Sequence, residues 1–263
     1  MVTASAPDDG TTDLVIDDQV ARITFNRPAA RNAMTWAMYE QLALACDAIE
    51  ASESVRVVVF RGAGGKAFVA GTDIAQFLEF KSGEDGVAYE RAIGKFVGRV
   101  VGLNLPTIAV VEGWAVGGGM ALANACDFRI ATPESRFGVP IARTLGNCLS
   151  AGSLAGLTAT LGPAMVRRMV LLGELVQAPE LHGLGYVLRL APAEQLTQEV
   201  EQVVAALASH APITMAVTKQ LMSRLAQGDT SDEDLIRDCY GSQDFREGVQ
   251  AFTQKRPPQW GGR

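Results

Sequence analysis

The sequence has few of the side chains that most often carry metal or nucleophilic chemistry. Its 263 residues include two histidines, both in the second half of the chain, and four cysteines, namely Cys46, Cys126, Cys148 and Cys239. These cysteines lack the short spacing of metal ligands, which argues against a zinc or iron–sulfur motif. We expect buried, reduced thiols, as in a cytoplasmic protein, and neither a metal nor another bound cofactor.

Positive charge and long apolar runs are also scarce. Lysine and arginine total 23 against 29 acidic residues, a net charge of −6, and no apolar stretch reaches the roughly 18 residues of a membrane span. We therefore expect no binding to nucleic acid or to a membrane, although a few local cations are enough to hold a small anionic ligand. The polar, acidic start lacks the pattern of a secretory signal, and we expect residues 1–11 to be a frayed tail.

What is present is a regular alternation of apolar segments in the first half of the chain. Helical spacing of apolar residues follows Thr35, a candidate N-cap, and recurs over 87–103. Residues 73–80 are predicted to start a short helix, and 150 onwards is mostly helical. The predicted strands, the first two forming a hairpin, are Leu14–Ile16, Val20–Phe25, Val57–Phe60, Thr107–Val111 and Phe128–Ala131. This order predicts an α/β core over 12–195, with a largely parallel sheet, and a helical region over 196–263.

Two glycine-containing loops stand out. The segment EGWAVGGGMALANACD (112–127) places Gly117, Gly118 and Gly119 before an apolar helix, and KAFVAGTDI (66–74) similarly follows a buried strand. Backbone N–H groups at helix starts are unsatisfied donors at the positive end of the helix dipole. Two such loops aimed at one point would bind the oxygen of a thioester enolate, as an oxyanion hole. The alternative reading of the triplet is tight packing between helix and strand.

Four segments in order resemble the crotonase superfamily, also called the enoyl-CoA hydratase/isomerase family. They are FNRPAARNAM (25–34), KAFVAGTDIAQF (66–77), LPTIAVVEGWAVGGGMALANACDFRIATPESRFGVP (105–140) and EGVQAFTQKRPPQWGGR (247–263). The resemblance spans about residues 12–262 and implies a spiral of ββα units with a helical C-terminal region that forms trimers, often stacked as hexamers. The apolar positions Val203, Leu207, Met215, Leu221 and Met222, with no sheet expected to cover them, support such an assembly.

The resemblance also implies a set of ligand-binding positions. By position, the backbone N–H groups of Thr72 and Gly118 form the oxyanion hole, beside Gly117. A coenzyme A thioester would place its adenine against the loop Ala70–Ile74, which includes Asp73, and its phosphates near Lys66. Lys255 resembles a residue that reaches coenzyme A from the end of the fold or from a neighbouring subunit. A solvated surface cation is the alternative for both lysines, and a helix-start residue is the alternative for Asp73.

The two acids of the family's hydratases are missing from the motif positions. In such members one glutamate lies two residues after the glycine triplet and the other directly follows the proline of an FG-x-P turn. These positions are Ala121 and Ile141 here, and Ala142, the alternative if the alignment shifts by one, is no more acidic. Because neither side chain transfers protons, the two-glutamate mechanism is not available.

The segment IARTLGNCLS (141–150) departs most from the family pattern and is expected to line the acyl pocket. Asn147 is a candidate to hydrogen-bond a substrate carbonyl or hydroxyl, with Thr144 beside it. Arg143 either holds a carboxylate, points to solvent or bridges subunits. Three further residues lie where the variable wall of the pocket usually runs in this family, namely Glu79, Tyr89 and Glu90. The alternative for all three is a charged, solvent-exposed helix face.

The predicted function is therefore an acyl-CoA enzyme of this family that stabilises a thioester enolate without the two glutamates. Decarboxylation or C–C cleavage is one alternative, since an apolar pocket destabilises a carboxylate while an oxyanion hole accepts the carbanion charge. A family member that binds acyl-CoA without turnover is the other.

Overall fold

A computed structural model describes residues 9–262. Its strands are β1 (Thr11–Asp17), β2 (Val20–Asn26), β3 (Val57–Gly62), β4 (Ala67–Val69), β5 (Thr107–Val111), β6 (Trp114–Val116), β7 (Phe128–Ala131), β8 (Arg136–Gly138), β9 (Val176–Gln177) and β10 (Arg189–Leu190). The order β1-β2-β3-β5-β7-β10 forms a six-stranded sheet, parallel except for the predicted β1–β2 hairpin. The order β4-β6-β8-β9 forms a second sheet, in which β9 is antiparallel.

The helices cover these sheets and then continue alone to the end of the described chain. They are α1 (Trp36–Glu50), α2 (Gly83–Val101), α3 (Gly118–Ala125), α4 (Ile141–Thr144), α5 (Ala151–Val170), α6 (Ala178–Gly183), α7 (Ala193–Ala208), α8 (Pro212–Ala226), α9 (Glu233–Gly241) and α10 (Gln243–Gln254). In the described residues a strand of the large sheet, a short strand of the small sheet and a helix recur as β3–β4–α2, β5–β6–α3 and β7–β8–α4. The predicted mixed α/β fold is confirmed.

The central strands of the large sheet, β3, β5 and β7, are buried on both faces. Alternate residues of a strand point to opposite faces, so Val58 and Phe60 of β3 enter the main core while Val57 and Val59 enter a second core under α7. Burial on both faces explains why β3 is an unbroken apolar run.

The second core corrects one expectation. Val203 of α7 is buried on the sheet and Leu207 packs against the same cluster, so these two residues do have a sheet to cover. Met222 of α8 is exposed. Only the helices after α7 therefore present apolar side chains to the surface in the way that the sequence predicted for the whole region.

Most local predictions are confirmed at residue level. The Thr35 hydroxyl accepts the Met38 N–H at 3.3 Å and caps α1. The short helix predicted from Asp73 is a single 3-10 turn, Ile74–Phe77, for which Asp73 is the N-cap. The predicted helix over 87–103 begins earlier, at Gly83, because Asp85 accepts the Ser82 N–H at 2.7 Å and caps its first turn.

The thiols divide into two groups. Cys46 and Cys126 are buried, and burial raises the pKa of Cys46 to about 11 and that of Cys126 to about 12, so both remain protonated. Cys148 is exposed and Cys239 is half-buried, which corrects the expectation that all four are buried. Cys148 lies in the irregular segment before α5, where no element covers it.

In the described part of the chain, no single helix is long and apolar enough to cross a membrane. Helices α7 and α8 are long and apolar enough only when they are counted as one segment, and the two helices are bent by 99° relative to each other.

Candidate active site

The two glycine-containing loops meet at one edge of the small sheet. β4 and β6 are adjacent parallel strands, so the loop after Val69 and the loop after Val116 leave from the same edge. A Cβ atom built on Gly117 would lie 3.8 Å from Gly71 Cα, and one built on Gly118 would lie 3.6 Å from Thr72 N. The structure therefore brings together the two segments that the sequence selected independently.

Each position of the triplet requires glycine for a different physical reason. Gly117 has φ 56, a left-handed backbone that L side chains rarely adopt. A Cβ on Gly118 would lie 2.8 Å from the Tyr39 hydroxyl, and one on Gly119 would lie 1.9 Å from the carbonyl oxygen of Val69. Gly117 thus allows the turn before α3, and Gly118 and Gly119 allow the first residues of α3 to pack closely against Tyr39 and Val69.

The backbone amides of Thr72 and Gly118 are not engaged within residues 9–262. On either side of Thr72, Met34 N donates to Gly71 O and Asp73 N donates to Met34 O, both at 2.9 Å, whereas Thr72 N has no acceptor there. Gly118 is the first residue of α3, and its N–H has no acceptor there either. Both groups are thus available to a ligand oxygen, and that of Gly118 also lies at the positive end of a helix.

An ion pair supports the first loop. Arg27 Nη1 donates to Asp73 Oδ2 at 2.7 Å, and Asp73 Oδ1 accepts the Ala75 N–H at 3.0 Å. Burial opposes ionisation of Asp73, but these two interactions outweigh it and lower the pKa of the carboxyl. Asp73 was expected either to line the adenine-binding loop or to start a helix. The structure shows that it starts the helical turn and forms an ion pair with Arg27.

A chain of three hydroxyls lies directly behind the amides. Thr72 Oγ1 is 3.0 Å from Tyr39 Oη and 2.8 Å from Tyr89 Oη. The sequence indicates Tyr89 only as a candidate pocket-wall residue and does not indicate Tyr39. The one available signal was a phenol among the apolar positions of α1, adjacent to Met38, which by itself indicates no function.

The two positions at which the resemblance places the glutamates of hydratases lie at the starts of α3 and α4. Ala121 is in the first turn of α3 and is half-buried. Ile141 is the first residue of α4, is 7% exposed and belongs to the main core. Neither position offers a group that titrates.

The segment after Ile141 is largely exposed. Arg143, Thr144 and Asn147 are all exposed, and in the described part of the chain none of them is hydrogen-bonded to the loop around Thr72. The Thr144 hydroxyl donates to Pro140 O at 3.0 Å within its own turn. The Arg143 side chain lies beside Gly173, where a built Cβ would be 3.1 Å from Arg143 Cβ.

Glu90 connects this segment to α2. Its Oε2 accepts the backbone N–H of Ser150, the N-cap of α5, at 2.8 Å. Burial raises the pKa of the Glu90 carboxyl, and the hydrogen bond from Ser150 opposes that rise. Glu79 is exposed. Of the three predicted wall residues, the structure therefore connects Tyr89 to the hydroxyl of Thr72 and assigns Glu90 to loop support.

The positions expected to bind coenzyme A are accessible. Lys66 and Lys255 are exposed, and neither forms an ion pair among the described residues. Ala70 is half-buried, and Ile74 is 55% exposed. Lys255 follows α10 in a left-handed conformation with φ 55, which ends that helix.

Other polar candidates are structural. Asp127 accepts Thr107 N at 2.7 Å and Lys219 Nζ at 2.6 Å, as expected for a residue that satisfies donors. His182 Nδ1 lies 2.9 Å from Val187 O at the end of α6. Within residues 9–262, no group of three or more His, Cys, Asp or Glu side chains is placed to hold a metal ion.

Comparison with known proteins agrees with this architecture. The sequence model of the family described as enoyl-CoA hydratase/isomerase matches residues 16–263. The chain is 30% identical to a short-chain-enoyl-CoA hydratase of Clostridium acetobutylicum, covering 91% of this chain and 93% of that protein. It is 31% identical to a 2,3-dehydroadipyl-CoA hydratase of Escherichia coli, covering 96% and 100%.

Among solved structures, an enoyl-CoA hydratase/carnithine racemase from Magnetospirillum magneticum matches with a TM-score of 0.89 and 31% identity, covering 98% of each chain. Sequence and backbone agree over almost the whole length. The chain therefore belongs to the enoyl-CoA hydratase/isomerase family, the crotonase superfamily.

Proposed function

We propose that this chain binds an acyl-CoA thioester and stabilises its enolate with the backbone N–H groups of Thr72 and Gly118. The observation that carries the proposal is the convergence of two unengaged amides from adjacent loops of a family member. Each such donor typically contributes about 3 kcal/mol of transition-state stabilisation. Because both donors are backbone groups, small neighbours matter more here than the identity of any side chain.

The proposed chemistry is enolate formation without the two-glutamate addition of water. Hydration needs a base that activates water and an acid that protonates the α-carbon. Ala121 and Ile141 supply neither. The relatives named above are hydratases by name, and the proposal for this chain departs from that reaction because of these two side chains.

The remaining contacts of the ligand are those that the family resemblance implies, and the accessibility of these residues is compatible with them. The adenine is placed against Ala70–Ile74, with Lys66 near the phosphates and Lys255 reaching from the C-terminal end. The acyl group extends past Gly117 towards the segment 141–150, where Asn147 offers an amide and Arg143 a cation. Both lysines are exposed and form no ion pair within residues 9–262, which supports this placement because no such pair must break for a phosphate to bind.

We also propose that the chain assembles as a trimer or a hexamer through its C-terminal helices. A groove of about 330 Å³ between α8, α9 and α10 has an apolar lining that includes Ile213, Phe245 and Val249. Phe252, on its rim, is 88% exposed. A contiguous apolar face of this kind is typical of a surface that another subunit covers.

Infrared spectroscopy of acetyl-CoA labelled with carbon-13 at the carbonyl tests the central proposal. Binding in an oxyanion hole should shift the carbonyl stretch to lower frequency, because two donors polarise the C=O bond. A panel of malonyl-, enoyl- and β-keto-acyl-CoAs in deuterated water, followed by mass spectrometry, then identifies the reaction. Saturable binding with an unshifted carbonyl would refute the oxyanion assignment.

A further inference from the structure

We propose that Tyr89 transfers a proton to and from the α-carbon of the thioester, with Tyr39 and Thr72 orienting its hydroxyl. This inference rests on the proposed function, because it requires a thioester held by the amides of Thr72 and Gly118. It assigns the proton chemistry that the alanine and isoleucine at the two motif positions leave unfilled.

The direction of the hydroxyl chain follows from burial. Tyr39 is fully buried, and its hydroxyl has one hydrogen-bond partner among the described residues, Thr72 Oγ1. A buried donor without an acceptor costs more than an acceptor left with a spare lone pair, so Tyr39 donates to Thr72. Thr72 then uses its single proton to donate to Tyr89. The proton of Tyr89 is consequently the one that has no acceptor among residues 9–262.

The position of Tyr89 fits that role. Its Oη is 2.8 Å from the hydroxyl of Thr72, the residue whose amide would hold the thioester oxygen. Its ring is fixed by three aromatic neighbours, with centroids 4.8 Å away for Phe77, 5.8 Å for Trp36 and 6.1 Å for Phe80. A phenol that is held on three sides and donates from its free side is positioned before substrate arrives.

The nearby carboxylates are already engaged. Asp73 binds Arg27 and the Ala75 N–H, and Glu90 accepts the Ser150 N–H. Among the described residues, the titratable groups that interact with Tyr89 are Tyr39 on α1, behind Thr72, and Glu90 on α2. Glu90 acts on Tyr89 through its charge, since a nearby carboxylate disfavours the tyrosinate.

The proton transfer balances without any other reactant. The tyrosinate oxygen of Tyr89 takes the α-proton, and the C–H electron pair moves into the new C=C bond while the carbonyl pair moves onto the thioester oxygen. In the reverse direction the phenol returns a proton to the carbon. In deuterated water the phenol exchanges with solvent, so the carbon acquires deuterium with no oxidation or reduction.

This mechanism determines a pH dependence. Burial raises the pKa of Tyr89 above its ordinary value of 10.0, and the hydrogen bond from Thr72 partly opposes that rise. Exchange needs the tyrosinate, so its rate should increase about tenfold per pH unit from about pH 7 to about pH 9.5 without reaching a plateau.

The test uses the full chain with acetyl-CoA, because the shortest acyl group with α-protons fits any acyl pocket. Deuterium incorporation is followed by mass spectrometry in the wild type, Tyr89→Phe and a matched control, Tyr240→Phe, which removes an exposed phenol from α9. Tyr89→Phe should slow exchange at least ~100-fold and abolish its pH dependence while acetyl-CoA still binds. Tyr240→Phe should exchange like the wild type.

Two variants at Thr72 separate the hydroxyl from the amide. Thr72→Val keeps the backbone N–H and should retain the infrared shift but lose at least about tenfold in exchange, whereas Thr72→Ser should restore it. A Tyr89→Phe rate within about threefold of the wild type would overturn the proposal. So would a wild type that shifts the carbonyl but does not exchange. An unshifted carbonyl would instead overturn the proposed function itself.

Discussion

The hydroxyl of Tyr39 occupies the space that a side chain at Gly118 would need. A Cβ atom on Gly118 would lie 2.8 Å from Tyr39 Oη and 3.2 Å from Thr72 Oγ1. Because Tyr39 is fully buried in α1, it has little freedom to move away. One side chain on a neighbouring helix therefore requires glycine at the position whose amide is proposed to bind the thioester oxygen, independently of backbone conformation.

This contact predicts the outcome of a double-mutant cycle. Gly118→Ala should destabilise the fold by about 1–3 kcal/mol, because the added methyl overpacks a closed site. Tyr39→Phe removes the colliding oxygen, so the double variant should recover part of that loss. Urea unfolding of the four proteins measures the coupling. Strict additivity would mean that the collision at Gly118 is relieved elsewhere. Gly118→Pro, which deletes the N–H, adds the same Cβ and so tests both effects at once.

Crotonyl-CoA hydration should be slow. With Ala121 and Ile141 at the two acid positions, we expect a kcat below the ordinary range that begins at about 1 s⁻¹. The rise in absorbance of the enoyl thioester during the reverse dehydration, or its loss during hydration, gives the rate. A kcat in the ordinary range would show that another carboxylate, such as Glu79 or Glu90, enters the site.

The ion pair between Arg27 and Asp73 should hold the loop that carries the Thr72 amide. Asp73→Asn keeps an oxygen for the Ala75 N–H but leaves the partly buried guanidinium without its anion. We expect a loss of about 1–2 kcal/mol in unfolding free energy and weaker acyl-CoA binding. Asp234→Asn, which breaks a surface pair with Arg224, is the matched control and should leave binding unchanged. Equal effects of both variants on binding would refute a local role for Asp73.

Glu90 should make stability depend on pH. Its pKa in the folded state is raised above the ordinary 4.5 by burial, so the folded state binds this proton more tightly than the unfolded state. The resulting stabilisation is present below 4.5 and is lost as the pH rises through the folded-state pKa. Glu90→Gln cannot ionise, so its melting temperature relative to the wild type should increase across that interval. A difference that stays constant at all pH values would contradict this role.

Light scattering at micromolar protein should give about three or six times the chain mass of 27.9 kDa. Phe252→Asp places a charge on the most exposed aromatic of the C-terminal helices and should shift the mass towards the monomer. A monomeric wild type that still binds acetyl-CoA would refute both the assembly and a site shared through Lys255.

Several features could be predicted because they depend on neighbours in sequence. The cap of α1 at Thr35 and the helix start at Asp73 each involve hydrogen bonds within three residues. The strands over Val57–Phe60 and Thr107–Val111 are apolar runs whose length and β-branched content distinguish them from helices. The glycine triplet indicated a close approach of other atoms to the backbone.

The sequence by itself determined the alternation of strands and helices, the two loops with free amides and the absence of acids at Ala121 and Ile141. Only the tertiary structure decided that α7 covers the sheet, because helical spacing of apolar residues does not show which surface lies opposite them. It also decided that Tyr39, Thr72 and Tyr89 share hydrogen bonds. These residues are separated by 33 and 17 positions, and a contact between distant positions leaves no pattern in a single sequence.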